Sequence, residues 1–223
     1  MIRLLPLVVV LAIQSIAQDW HAVDVWGYPP PKDAQMENGF PTLQFPDRSS
    51  QISAVAFLTT TNTPELLGDL TGNQIIAEIT IITSGPAVFF LPTSTPGLPP
   101  NVRLFFTTSA KPYAVCDANR DETAYWWADA AWLPLNRGAY QLEATLTPDQ
   151  WSDALGHSAS DPTYTGAFLD AVANVRQIGF SFGGGCFYDV GVGIVDPNTS
   201  ATFRVRSYTV TPLCVLNPWM EAD

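Results

Sequence analysis

The chain has 223 residues and a formal net charge of −11, with Lys+Arg 10 against Asp+Glu 21. A polyanion of this kind is repelled by DNA, RNA and anionic membrane surfaces, which excludes nucleic-acid binding from the expected functions. Charged residues make up only 14% of the chain, aromatics 12%, and prolines number 19, a composition that excludes disorder and suits a turn-rich β-domain. The acidic residues are spread along the chain rather than run together, so their plainest role is solubility.

Residues 1–17 read as a secretory signal peptide: Arg3 is the positive end, 4–13 the apolar run, and Ser15-Ile16-Ala17 the small residues a signal peptidase reads. The run is too short to span a bilayer, so no membrane insertion is expected, and a secreted or periplasmic product follows. Residues 18–50 hold Pro29-Pro30-Pro31 and scattered Trp20, Trp26 and Tyr28, and read as an irregular extension packing along the surface, with at most a short strand at its end. The domain proper is expected over 51–214, followed by a tail, 215–223.

Strands are expected at 52–60, at 74–83 where QIIAEITIIT alternates, at 87–91, 102–108, 124–133, and at 139–146, where Tyr140, Leu142, Ala144 and Leu146 share a face. Thr147-Pro148-Asp149-Gln150 is a helix start, with a capping residue, proline at the first helical position and Gln150 closing a capping box. That helix would pass through Trp151 and Leu155 and stop at Gly156. Asp161-Pro162 starts a second, carrying Phe168, Leu169, Val172 and Val175 on one side.

Residues 175–195, VRQIGFSFGGGCFYDVGVGIV, then read as strand, Gly-rich turn, strand, before an alternating last strand at 202–210. Gly183-Gly184-Gly185 opens no helix and no lysine follows, so it lacks what phosphate cradling needs and is expected to be a bend between core strands. Ile178, Phe180 and Phe182 should face the core together. Strands dominate and do not alternate with helices. The expected fold is therefore all-β: a two-sheet antiparallel jelly-roll sandwich with one or two short helices.

Thr63-Pro64-Glu65-Leu66-Leu67-Gly68-Asp69-Leu70-Thr71-Gly72-Asn73-Gln74, the Trp127/Trp132 strand leading to Thr147-Pro148-Asp149-Gln150-Trp151, and the 168–178 stretch FLDAVANVRQI together resemble laminin B (laminin IV) domains, and more widely galactose-binding-like jelly rolls. The Cys-rich repeats that flank animal laminin B domains are absent. The resemblance covers about 52–210 and implies a non-catalytic extracellular recognition or structural domain.

Three cysteines, Cys116, Cys186 and Cys214, allow one disulfide and one leftover thiol in an oxidising compartment. All three pairings are open, and Cys186–Cys214 is favoured because it would tie the tail to the Gly-rich segment. Two histidines, His21 and His157, without GxSxG or HExxH, give weak support to hydrolase or zinc chemistry, and each reads as an ordinary loop residue. Asp117, Asn119 and Asp121 alternate as in the first half of a calcium loop, but Glu122 and Ala128 stand where an EF-hand needs Gly and Glu. A looser structural Ca²⁺ site remains open, and no cofactor is required.

Trp126, Trp127 and Trp132, with Asp129 and Arg120 nearby, carry the main binding expectation: aromatic rings stack on sugar faces while polar groups bond hydroxyls. Adjacent Trp126 and Trp127 must point to opposite faces of a strand, and Trp132 shares Trp126's parity, hence its face, if no bulge intervenes. One of Trp126 and Trp127 is then core and the other outward, and the alternative is that two of the three are core anchors; the laminin B-like resemblance implies that Trp127 is an anchor, which leaves Trp126 and Trp132 as the expected platform. The expected function is binding of extracellular carbohydrate, the alternative a protein-interaction module without a small ligand. A carbohydrate-active enzyme using the carboxylates between Asp117 and Asp129 comes third. Asn198-Thr199-Ser200 is an N-glycosylation sequon, relevant only in a glycosylating host.

Overall fold

The computed structural model describes residues 19–24, 32–47, 54–91, 99–110, 121–183 and 191–213. In chain order its strands are β1 (Trp20–Asp24), β2 (Lys32–Asp33), β3 (Gln35–Glu37), β4 (Phe40–Gln44), β5 (Val55–Thr60), β6 (Asn73–Thr83), β7 (Phe89–Phe90), β8 (Asn101–Thr107), β9 (Tyr125–Pro134), β10 (Gly138–Thr145), β11 (Trp151–Asp153), β12 (Gln177–Phe182), β13 (Gly193–Ile194) and β14 (Ala201–Pro212). Among the described residues there is one α-helix, α1 (Pro162–Val172). The signal-peptide segment, the three cysteines, Gly184, Gly185 and the tail lie outside the described residues.

Two main sheets form the sandwich, one ordered β11-β9-β8-β12-β5-β1-β2 and the other β10-β6-β14-β4-β3, while β7 and β13 make a small ladder of their own. The paired strands run antiparallel. The all-β, two-sheet antiparallel sandwich expected from the sequence is thus the fold. In each main sheet a late strand lies between two earlier ones: β12 between β5 and β8, β14 between β4 and β6. Such interleaving is the Greek-key manner of connection used by jelly rolls.

Alternation explains the core. On β6, Ile75, Ala77, Ile79 and Ile81 are buried, whereas Glu78 and Ile82 lie on the other face and are exposed. On β12, Ile178, Phe180 and Phe182 face inward together and are fully buried, as their spacing requires. Phe180 packs edge-on to Phe203 of β14 at 5.1 Å, joining the sheets, and lies 6.2 Å from Trp20. Gly179 is forced to be glycine, since a Cβ there would overlap the Leu58 carbonyl oxygen and come within 2.9 Å of the Thr59 Cα. Its own carbonyl accepts a hydrogen bond from the Tyr208 hydroxyl at 3.5 Å across the sandwich.

Three expectations need correction. The described parts of segment 18–50, residues 19–24 and 32–47, are not an irregular surface extension: β1 pairs with β5, β4 pairs with β14, and Trp20 belongs to the core. The first expected helix is only a 3₁₀ turn, Pro148–Gln150, after which Trp151 enters β11 and pairs with Ala128. Thr147 makes no side-chain cap there, and Gln150 Oε1 instead accepts from the Thr145 N–H at 2.9 Å. Local capping signals were present, but residues 151–153 pair with 126–128 of β9 and are extended, so the tertiary partner overrides the local helix signal. The second helix forms as expected, capped by Asp161, which accepts from the Thr163 N–H. Phe168 and Val172 are buried with Val175 just beyond the helix, yet Leu169 is 47% exposed, one step of the helical wheel off that face.

Candidate functional site

The site is built on β8, β9 and β11 at one side of the seven-stranded sheet. On β8, Leu104 and Phe106 point into the sandwich, so Arg103 and Phe105 point out. Phe105 meets Trp127 at 5.0 Å and Phe57 at 4.8 Å in a second apolar cluster on that outer face. Trp127 is therefore buried as expected, although on the face opposite the main core, and its indole N–H finds no partner among the described residues.

A bulge in β9 decides which tryptophan reaches solvent. Trp126 pairs with Phe106 and Trp127 with Phe105, but the next pair is Arg103 with Trp132. Leu104 alone therefore opposes residues 128–131 of β9. Ala128 and Ala131 both turn inward, and Asp129 and Ala130 between them are exposed. The extra residues reverse the parity of the strand.

Trp126 consequently lies in the core, packed 5.1 Å from Phe168, with its indole N–H donating to the Thr123 carbonyl at 2.7 Å. It cannot present a ring to a ligand, which corrects its assignment to the platform. Trp132, on the opposite face and beside Arg103, is 42% exposed. Trp126 and Trp132 do not share a face, because the condition attached to their common parity, an unbulged strand, fails.

Around Trp132 the outer face is polar. Asp129 Oδ1 accepts from Arg103 Nη1 at 3.2 Å and from the Ser152 hydroxyl at 3.0 Å. Both bonds fall on one oxygen, and Oδ2 accepts none among the described residues. The Asp129 side chain is 49% exposed and that of Arg103 only 16%, so the carboxylate is the charge a ligand meets first. Partial burial pushes the Asp129 carboxyl above its ordinary value, against the opposing pull of Ser152 and Arg103. Asn101 Oδ1 accepts from Arg103 Nε at 3.4 Å and so helps to position the guanidinium.

Of the residues expected to bind a ligand, Trp132 and Asp129 both border Arg103, the first as its strand partner and the second through an ion pair. Arg120 lies outside the described residues, as do Asp117 and Asn119. Asp121 is described, and its Oδ1 accepts from both the Thr123 N–H at 3.1 Å and the Thr123 hydroxyl at 2.7 Å. It thereby fixes the turn whose carbonyl holds Trp126. No group of three or more His, Cys, Asp or Glu gathers as a metal site among the described residues.

Sequence reasoning missed Arg103 and Ser152. The available signal was a single cation at an alternate position of an otherwise apolar strand, VRLFFTT, but its partner Asp129 lies 26 residues on, Ser152 meets that carboxylate from a further 23 residues on, and both contacts are set by sheet pairing.

His157 is more constrained than an ordinary loop residue. Its Nδ1 lies 2.9 Å from Asp153 Oδ2, and its ring stacks on Tyr164 at 4.3 Å. Asp153 Oδ1 also accepts from the backbone N–H groups of Leu155 and His157, so this buried carboxylate closes the turn after β11. No hydroxyl or thiol bonds to the imidazole among the described residues, and the arrangement is that of a turn clamp. A shallow cleft of about 510 Å³ lined by Thr61, Leu67, Ala110, Val175, Arg176 and Gln177 includes no residue of the Trp132 patch.

Comparison of the chain with protein-family models, curated proteins and solved structures finds no match.

Proposed function

We propose that this protein is an exported, non-catalytic recognition domain that binds extracellular carbohydrate through the outer face of β8 and β9. The observation that supports this most is the exposed Trp132 ring set directly across the sheet from Arg103, with the Asp129 carboxylate beside it. An exposed ring offers a flat apolar surface to the C–H face of a sugar, and an Asp–Arg pair offers acceptors and donors to its hydroxyls. A two-carboxylate hydrolytic site is less supported, since the described part of the patch holds one carboxylate. The laminin B-like and galactose-binding-like resemblance fits the same kind of recognition role.

A glycan array tests the reading: saturable binding by the wild-type chain, lost in Trp132→Ala with the fold retained, is the expected result. A silent array across a broad panel refutes it.

A second reading has its own observation. β11 covers β9 only as far as Ala128, so on that side β9 beyond Ala128 has no paired strand among the described residues. An extended peptide could add there as a further strand. Pull-down of a peptide partner that Trp132→Ala leaves intact, on a silent glycan array, would favour it.

A further inference from the structure

The charges of the patch bear on which sugars it can take. This step rests on the carbohydrate-binding reading above. Asp129 presents a half-exposed carboxylate whose Oδ2 accepts no hydrogen bond among the described residues, while its Oδ1 is held by Arg103 and Ser152. Half-exposed, that oxygen takes its donors from solvent, and a ligand group that displaces the water must supply another. A sugar hydroxyl supplies one, whereas a uronate, sialate or sulfate would bring a second anion against it in a chain whose formal net charge is already −11. A cationic amino sugar meets the opposite obstacle, because the Arg103 guanidinium lies 3.2 Å from the same carboxylate and close below Trp132. An ion pair within the patch thus disfavours ligands of either sign at short range and leaves its hydrogen-bonding capacity for uncharged ones.

We infer that Asp129 is a specificity-determining residue that restricts the site to uncharged sugars by accepting their hydroxyls on Oδ2 and repelling anionic ones. Trp132 contributes the stacking surface, which is indifferent to charge class, and Ser152 holds the carboxylate in place.

The test is a glycan array sorted into uncharged, anionic and amino-sugar members, probed with the wild-type chain, Asp129→Asn and Trp132→Ala. Wild-type binding should be confined to uncharged members. Asp129→Asn keeps the side-chain shape but removes the charge, so affinity for uncharged sugars should fall about tenfold or more, the size of a lost charged hydrogen bond. The ratio of anionic to uncharged binding should rise by a similar factor. Trp132→Ala should weaken every class alike. Wild-type binding of uronates, sialosides or amino sugars that equals or exceeds that of uncharged sugars overturns the inference and leaves the carbohydrate reading standing. So does an Asp129→Asn chain, folded by circular dichroism, whose class ratio is unchanged. If Asp129→Asn does not fold, the wild-type class preference alone decides. A wholly silent array removes the carbohydrate reading, and the inference with it.

Discussion

Replacing Trp126 and Trp132 by alanine, one at a time, asks whether the β9 bulge places them on opposite faces. Trp126 is fully buried against Phe168, and its indole N–H is used by Thr123. Truncating a buried tryptophan costs about 3–5 kcal/mol through lost transfer energy and the cavity left behind. The orphaned Thr123 carbonyl adds to this, so about 4–5 kcal/mol is expected. Trp132 already leaves 42% of its surface in water, and solvent fills the space it vacates. Without a closed cavity the loss shrinks to about 1–2 kcal/mol. At about 3 °C per kcal/mol for a chain of this size, Tm should fall by about 12–15 °C in Trp126→Ala and by about 3–6 °C in Trp132→Ala. Urea unfolding with equal m-values in the two variants gives the free energies directly. A Trp132→Ala chain destabilised as much as Trp126→Ala would refute the bulge and, with it, the placement of Trp132 as the solvent-facing ring.

Gly179→Ala should destabilise by about 2–5 kcal/mol, because the new Cβ meets backbone of β5 on a central strand where neither strand can move aside; a variant with wild-type stability by chemical denaturation would show that β5 and β12 are farther apart than described. Folding raises the Asp129 carboxyl pKa above its ordinary 3.8 through partial burial. A group shifted this way contributes stability that is fully present below its unfolded value and is lost as pH rises through the folded one. Relative to Asp129→Asn, the wild-type chain should therefore lose stability as pH climbs through that acidic window, and a stability difference that is flat or grows there contradicts the assignment. Carboxyl chemical-shift titration should place the Asp129 midpoint above 3.8, and a midpoint below it argues that the Arg103 and Ser152 bonds outweigh burial.

Much of the sandwich was legible in residue order. The alternation in β6, β10 and β14 marked the strands, and in β10 and β12 it also marked which residues share a face, because side chains of an extended chain project to opposite sides at every step. Phe180 could be assigned to the core from Ile178 and Phe182 alone. Asp161-Pro162 likewise announced α1, since cap and first-turn proline act within one turn of the chain.

The remaining features depend on partners distant in sequence. Thr147-Pro148-Asp149-Gln150 carries the same local signals as a helix start, and only the pairing of Trp151 with Ala128 makes the next residues a strand. Residues 20–24 show little pattern of their own and become β1 because β5 offers an unpaired edge. Local composition therefore determined the fold class, most strands and the neighbourhood of the Trp132 patch, through periodicity and turn chemistry that act over a few residues. Which tryptophan faces solvent, and which cation meets Asp129, was decided by the tertiary structure: the register between β8 and β9 inserts the bulge that reverses parity, and no periodicity within β9 encodes the spacing of its neighbour's hydrogen bonds.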